Sequence, residues 1–216
     1  MNHRPSQSVA TFSEQPLTRR AIAKQKTRER LLDAARRLFA ERGYEAATVR
    51  DIAAAADLST GAVFASFSDK ADLFTEVIIA DYQTLSDRMA EIDVTGCSTR
   101  DALMKIFGAA YKCHLEQLGL MRAAISFSWQ RDEGAEQRSR QGMKLLLALL
   151  ANILGQGVKS GELSDQLDVR LTTETLWDIY LANYRRAIFD DWDAESLSDR
   201  LALQIDVVLA GFRAAA

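Results

Sequence analysis

Two cysteines, two histidines and two prolines in 216 residues leave this chain few means of building a disulfide framework, a metal site or a nucleophilic centre. Cys97 and Cys113 are widely spaced and have no companion ligand cluster, so they read as free thiols of a reducing cytoplasm. His3 and His114 are the only histidines, and neither belongs to a Ser/His/Asp or Cys/His constellation. A phosphate-cradling glycine loop is missing as well, and the expectation is a non-enzyme with no metal and no cofactor. The most apolar run, Leu145 to Leu154, is too short to span a bilayer, and no signal peptide is visible. Strand-like runs are also lacking. With so little proline and with long apolar periodicity, the fold class expected is all-α, in a chain long enough to bury a substantial core.

Charge is unevenly spread. The whole chain carries a net −3, but residues 1–50 carry +6 and the remainder −9. An acidic protein with a basic front end is suited to meet a polyanion with that end alone. Arg19, Arg20, Lys24, Lys26, Arg28 and Arg30 concentrate the charge, opposed only by Glu29. Residues 1–18 read as a disordered basic tail.

Downstream of this basic stretch lies the densest pattern in the chain, TVRDIAAAADLSTGAVFASFSDK, from Thr48 to Lys70. Thr48 and Asp51 have capping-box spacing, and Val49, Ile52 and Ala53 recur at helical period, which predicts a helix over 48–55. Asp57 and Leu58 break it, with Asp57 suited to a left-handed turn. Ser59 can cap a second helix, 59–65, with Val63, Phe64 and Phe67 on its apolar side. Its opening turn, Thr60, Gly61 and Ala62, is slim enough to approach base edges. Ser68 is expected to cap a third, longer helix. Helix, short turn, helix is the geometry of DNA readers that place the second helix in the major groove. Periodicity alone is equally compatible with two short helices in an all-α protein.

The stretch TRERLLDAARRLFAERGYEAATVRDIAAAADLSTGAVFASFSDKADLFTEV, about residues 27–77, resembles the N-terminal DNA-binding domain of the tetracycline-repressor (TetR) family of bacterial regulators. Ala34, Ala35, Leu38, Phe39, Gly43 and Tyr44 match its first helix and exit turn. Thr48, Val49, Ile52 and Ala53 match the second helix, and Ser59, Gly61, Phe67, Lys70 and Leu73 match the recognition helix and the start of the fourth. Three positions depart from the family pattern. Phe64 stands where Tyr is usual, Ser66 where His or Tyr is common, and Asp57 where Gly or Asn is favoured. The first two changes remove polar reach toward the backbone of DNA, and the third adds a charge that phosphate does not favour.

The resemblance implies a homeodomain-like head over residues 19–68 and a helical ligand-binding and dimerisation body over 69–216. Thr48, Ser59 and Lys70 are the candidate phosphate contacts, supported by Lys24, Lys26 and Arg28. Arg50, Thr60 and Ala62 are the candidates for base contact, with Gly61 allowing close approach and Phe64 packing at the recognition helix. Thr48 and Ser59 could equally serve as caps only, and Arg50 as a solvated helix residue.

Further helices are expected over 20–42, 69–92, from the Ser98-Asp101 cap to about 117, 120–131 after a break at Gly119, 135–159, 168–189, and 196–213 behind a Ser196-Asp199 cap. Phe107, Tyr111 and His114 share one helical face, and Trp177, Tyr180 and Tyr184 another, with Phe127 and Trp129 between them in sequence. Such stripes serve either as core or, given their polar handles, as the wall of a small-molecule pocket. The resemblance favours the pocket. Ile188, Leu197, Leu201, Ile205, Val208 and Phe212 are expected to join two copies through a four-helix bundle. Two heads about 34–36 Å apart would then read successive major grooves of a palindromic operator. The function expected is a ligand-responsive transcriptional regulator, with the 69–92 helix as lever between effector and DNA. The alternative is a helical dimerisation protein with no DNA role.

Overall fold

A computed structural model describes residues 18–213; of the expected tail 1–18, residues 1–17 lie outside the described residues, and Thr18 belongs to the head, its side chain accepting from Ala21 N at 3.2 Å as the cap of α1. Among the described residues the chain is helical, with a single isolated bridge between Leu163 and Arg213. The order is α1 Arg19–Ala46, α2 Val49–Ala55, α3 Thr60–Phe64, α4 Lys70–Ala90, α5 Thr99–Leu115, α6 Leu118–Ser128, α7 Glu133–Lys159, α8 Val169–Phe189 and α9 Ala194–Leu209.

Caps set most of these boundaries. Thr48 accepts a hydrogen bond from Asp51 N at 3.1 Å and the Asp51 carboxylate accepts from Thr48 N at 3.4 Å, completing the reciprocal box expected of α2. α2 ends in a paired C-terminal motif, Leu58 N donating to Ala53 O and Asp57 N to Ala54 O. Asp57 takes φ +53° there, the left-handed conformation that Asp tolerates. Gly43, at φ +78°, breaks α1 before its last turn.

Two expected caps are displaced. α4 is capped by Asp69, whose side chain accepts from Asp72 N at 2.8 Å, while Ser68 contributes only its backbone N–H, donated to the Asp72 carboxylate at 3.0 Å. α9 starts at Ala194 behind Asp193, which accepts from Ser196 N at 2.8 Å; Ser196 is therefore inside the first turn. In both cases an aspartate near the serine offers the stronger acceptor against the positive helix end.

Gly119 is not the break expected of it. It lies in the first turn of α6, and a Cβ there would stand 2.0 Å from the backbone oxygen of Ala40. α6 therefore crosses α1 at backbone contact, and the glycine is a packing requirement. This crossing joins head and body. Phe39 of α1, Tyr44, Phe74 of α4 and Phe127 of α6 form one aromatic cluster, with Tyr44–Phe127 at 4.5 Å and Phe74–Phe127 at 5.0 Å between ring centroids. α4 runs from the head along α7, so one helix belongs to both regions. The buried apolar side chains form a single continuous core from Leu31 to Leu209.

Candidate nucleic-acid interface and effector site

The head places Thr48, Arg50, Ser59, Thr60 and Gly61 on its exposed surface, with Ala62 half-buried. Val63 and Phe67 anchor α3 to the head core, while Phe64 points outward, 57% exposed, from the same short helix. Inward Val63 and outward Phe64 are the division a recognition helix needs, one side for the scaffold and one for the groove. Lys24 and Lys26 are exposed on α1.

Other head residues are already engaged. The Arg28 guanidinium donates to Ser66 O at 3.0 Å, pairs closely with Glu76, and stacks 4.4 Å over the Phe67 ring. It ties α1 to the α3–α4 turn, so the expected phosphate role of Arg28 gives way to a structural one. Ser66 likewise serves through its carbonyl. Lys70 sits 4.3 Å over the Tyr44 ring and donates to Glu45 O at 3.3 Å, which fixes its ammonium at the α1–α2 turn and leaves further donors toward solvent. The Asp57 carboxylate is fully exposed and stands 3.9 Å from Arg30.

In the body, Phe107, Tyr111, His114, Trp177, Tyr180 and Tyr184 come together as expected from their two helical faces, all buried. Tyr111 and Tyr180 stack at 4.7 Å, and Trp177 and Tyr180 at 5.1 Å. His114 Nδ1 lies 2.8 Å from the Tyr180 hydroxyl and 3.0 Å from that of Tyr184, and the two hydroxyls are 2.7 Å apart. Burial pushes the Tyr111, Tyr180 and Tyr184 phenols up, so they remain neutral donors. With Tyr184 donating to the Tyr180 hydroxyl and Tyr180 donating to Nδ1, the ring proton is on Nε2. That nitrogen stands 3.3 Å from the Asp81 carboxylate, off the line of a good hydrogen bond.

Asp81, on α4, was not singled out by sequence. It is buried, and its other oxygen accepts from Arg36 of α1 at 2.7 Å. On the far side of the cluster, Asn183 donates to the Tyr111 hydroxyl at 3.1 Å and to Gln204 of α9 at 2.8 Å. Polar groups therefore run from the head through α4, α5 and α8 to α9. Only the lone acidic residue in the otherwise apolar stretch VIIADY could have signalled Asp81.

Two expected pocket residues lie elsewhere. Phe127 is taken up by the head–body aromatic cluster, and Trp129 is 89% exposed because α6 ends there and turns it into solvent. The expected dimer stripe also divides. Leu197, Leu201 and Ile205 are fully buried against α5 and α8 of the same chain, whereas Ile188, Val208 and Phe212 are half-buried. The stripe had two faces folded into one. Outward stand Leu203 and Val207 on α9 with Leu171 and Phe189 on α8. No described helix is long and apolar enough to cross a membrane.

A short capped helix holding an outward-facing helix over a basic surface defines a helix-turn-helix transcription regulator. Residues 31–77 match the family model of bacterial regulatory proteins, tetR family, so the head is a domain of that type. It is 28% identical over 161 residues to the HTH-type transcriptional repressor KstR2 of Rhodococcus jostii (strain RHA1), covering 70% of this chain and 74% of that one. Its fold is shared with FadR of Bacillus subtilis in complex with stearoyl-CoA, at TM-score 0.73 and 22% identity over 85% of this chain and 98% of the other. FadR of Thermus thermophilus in complex with lauroyl-CoA is similar at TM-score 0.69 and 22% identity, over 85% and 94% of the two chains.

Proposed function

We propose that the chain is a repressor that binds a palindromic operator as a homodimer and releases it when an acyl-type small molecule enters the body. It acts in the cytoplasm, by binding rather than turnover. The observation that carries this reading is the polar connection from Arg36 through Asp81 to His114, Tyr180 and Tyr184. A ligand that spreads α5 and α8 must break the phenol–imidazole contacts. Asp81 is shared between that cluster and the head, so α1 and α4 feel the change. The effector then favours one head spacing and DNA another, and each weakens the other by the same factor. The FadR proteins with stearoyl-CoA and lauroyl-CoA supply the effector class.

Leu171, Phe189, Leu203 and Val207 form the face that meets a second copy, since four large apolar groups on two adjacent helices are a costly surface to leave in water. Selection of bound fragments from random DNA, followed by titration of the operator with lauroyl-CoA, tests the whole reading. A palindromic site, steep salt dependence and loss of binding with lauroyl-CoA are expected. Val207→Asp should yield monomers that bind DNA poorly. Operator-free selection or a monomeric wild type would overturn the proposal.

A further inference from the structure

One buried cation takes no part in the cluster described above. Arg131, in the turn between α6 and α7, has a side chain only 6% exposed. Its Nη1 donates to the Ser139 hydroxyl at 2.9 Å and stands 3.4 Å from the Glu136 carboxylate, while its Nε has no partner at all. A buried guanidinium that leaves a donor unmatched is costly unless something else satisfies it. The phenol of Tyr82 lies beside the same guanidinium and Ser139; burial pushes that phenol up, so it too is a neutral donor.

Glu136 is a poor permanent partner for Arg131. It is 38% exposed, and its other oxygen accepts from Arg140 at the much closer 2.7 Å. If Glu136 leaves Arg131 it keeps Arg140. From Tyr82 a run of packed aromatic rings leads inward, Trp177 lying edge-on to Tyr82 at 6.4 Å and tilted against Tyr180 at 5.1 Å. An effector that parts these rings, as the effector reading requires, lays its apolar body along Trp177 and Tyr180 and brings its anionic group to Arg131.

We propose that Arg131, Ser139 and Tyr82 form a binding site for the oxyanion of an amphiphilic acyl effector, and that Glu136 holds this place until the effector displaces it. The site rests on the effector reading above and gives it a chemical requirement. A long-chain ligand must carry a carboxylate or phosphate to bind well, and a neutral one of equal length must not. The carboxylate of a free acid and the phosphates of a CoA thioester share this chemistry.

Calorimetric titration of the full chain with dodecanoate, lauroyl-CoA and 1-dodecanol separates them. At least one anion should bind about tenfold more tightly than 1-dodecanol, the value of a charged hydrogen bond in a buried site. Dodecanoate in that role assigns a carboxylate, and lauroyl-CoA a thioester. Arg131→Leu should erase the preference and leave dodecanol binding as it was. Glu136→Gln, which removes the competing charge without disturbing the core, should tighten the anion several-fold. A preference that survives Arg131→Leu, or equal affinity for all three probes, overturns the site. Should Arg131→Leu fail to fold, Glu136→Gln decides alone, with unchanged anion affinity as the negative result. A chain that binds none of the probes also overturns it, while operator selection, which needs no lipid, still decides whether the chain is a DNA-binding regulator.

Discussion

Head and body weight their polar side chains differently. In the head the starts of the short helices are set by local, exposed bonds from a cap to the backbone three residues on, as Thr48 to Asp51 and Ser59 to Ala62, with Arg28 adding a longer tie to Ser66 O. The body has caps of the same kind, as Asp193 to Ser196, and adds buried bonds between helices far apart in the chain, as His114 to Tyr180 and Asn183 to Tyr111. Local bonds fix where short helices begin and end, which a head must do to present one turn to a groove. Long-range bonds fix how long helices sit against one another, which is the variable an effector must change. The two regions are rigid in different senses, and each can be tested against the other.

The largest effect is expected where they meet. Gly119→Ala puts a methyl group into the Ala40 carbonyl, which belongs to backbone and cannot swing aside. On helix propensity alone this change would stabilise α6 by about 1 kcal/mol. Overpacking against backbone should instead cost about 3 kcal/mol and move α6 off α1. Thermal unfolding at fixed protein concentration gives the sign directly. A more stable variant would mean that head and body are not in backbone contact.

Next comes the shared carboxylate. Asp81→Asn keeps the shape of the side chain but removes the charge that faces both Arg36 and His114. Arg36 keeps some access to solvent, so the loss of stability should be about 2 kcal/mol, below the range for a fully buried pair. The informative readout is the effector response. If Asp81 couples the regions, the variant binds operator but releases it less with lauroyl-CoA. Wild-type release in a variant that has lost this stability would leave Asp81 as a purely structural pair.

These two positions also mark how far sequence alone reaches. The head was readable because its information is local: the Thr48 box, the Ser59 cap and the left-handed Asp57 all depend on residues within four positions. In the body the helices were found by period, and so were the two aromatic faces that meet. What period does not tell is which side of a stripe meets which neighbour. Leu201 and Val207 belong to one apolar helix, yet the first is buried in its own chain and the second is 77% exposed. Trp129 and Phe127 failed as pocket residues for a related reason, since the end of α6 and its crossing with α1 decide where they point. Asp81 and Gly119 gain meaning only from residues far away in sequence, Arg36 and His114 for the one and Ala40 for the other.

The smallest effect separates two uses of a single hydroxyl. Thr48 is exposed on the head, and it is also the cap of α2, where its Oγ1 both accepts from Asp51 N at 3.1 Å and donates to the Asp51 carboxylate at 2.7 Å. With its proton committed to Asp51, the hydroxyl can donate to a phosphate only by giving up that bond. The same bond to Thr48 is what holds the Asp51 carboxyl below the usual carboxylate range. Losing the cap in Thr48→Ala should cost about 1 kcal/mol of stability, the ordinary value for such a position. Because the folded carboxyl titrates lower than the unfolded one, the carboxylate's share of the box is present above the unfolded pKa and fades as pH falls through the folded one, while the bond from Asp51 N to Oγ1 does not titrate. If capping is the whole role, Thr48→Ser restores stability and DNA affinity together, and Thr48→Ala weakens operator binding no more than its loss of folded head explains. A larger loss of operator affinity, with the salt slope reduced by about one, would make Thr48 a phosphate contact as well as a cap.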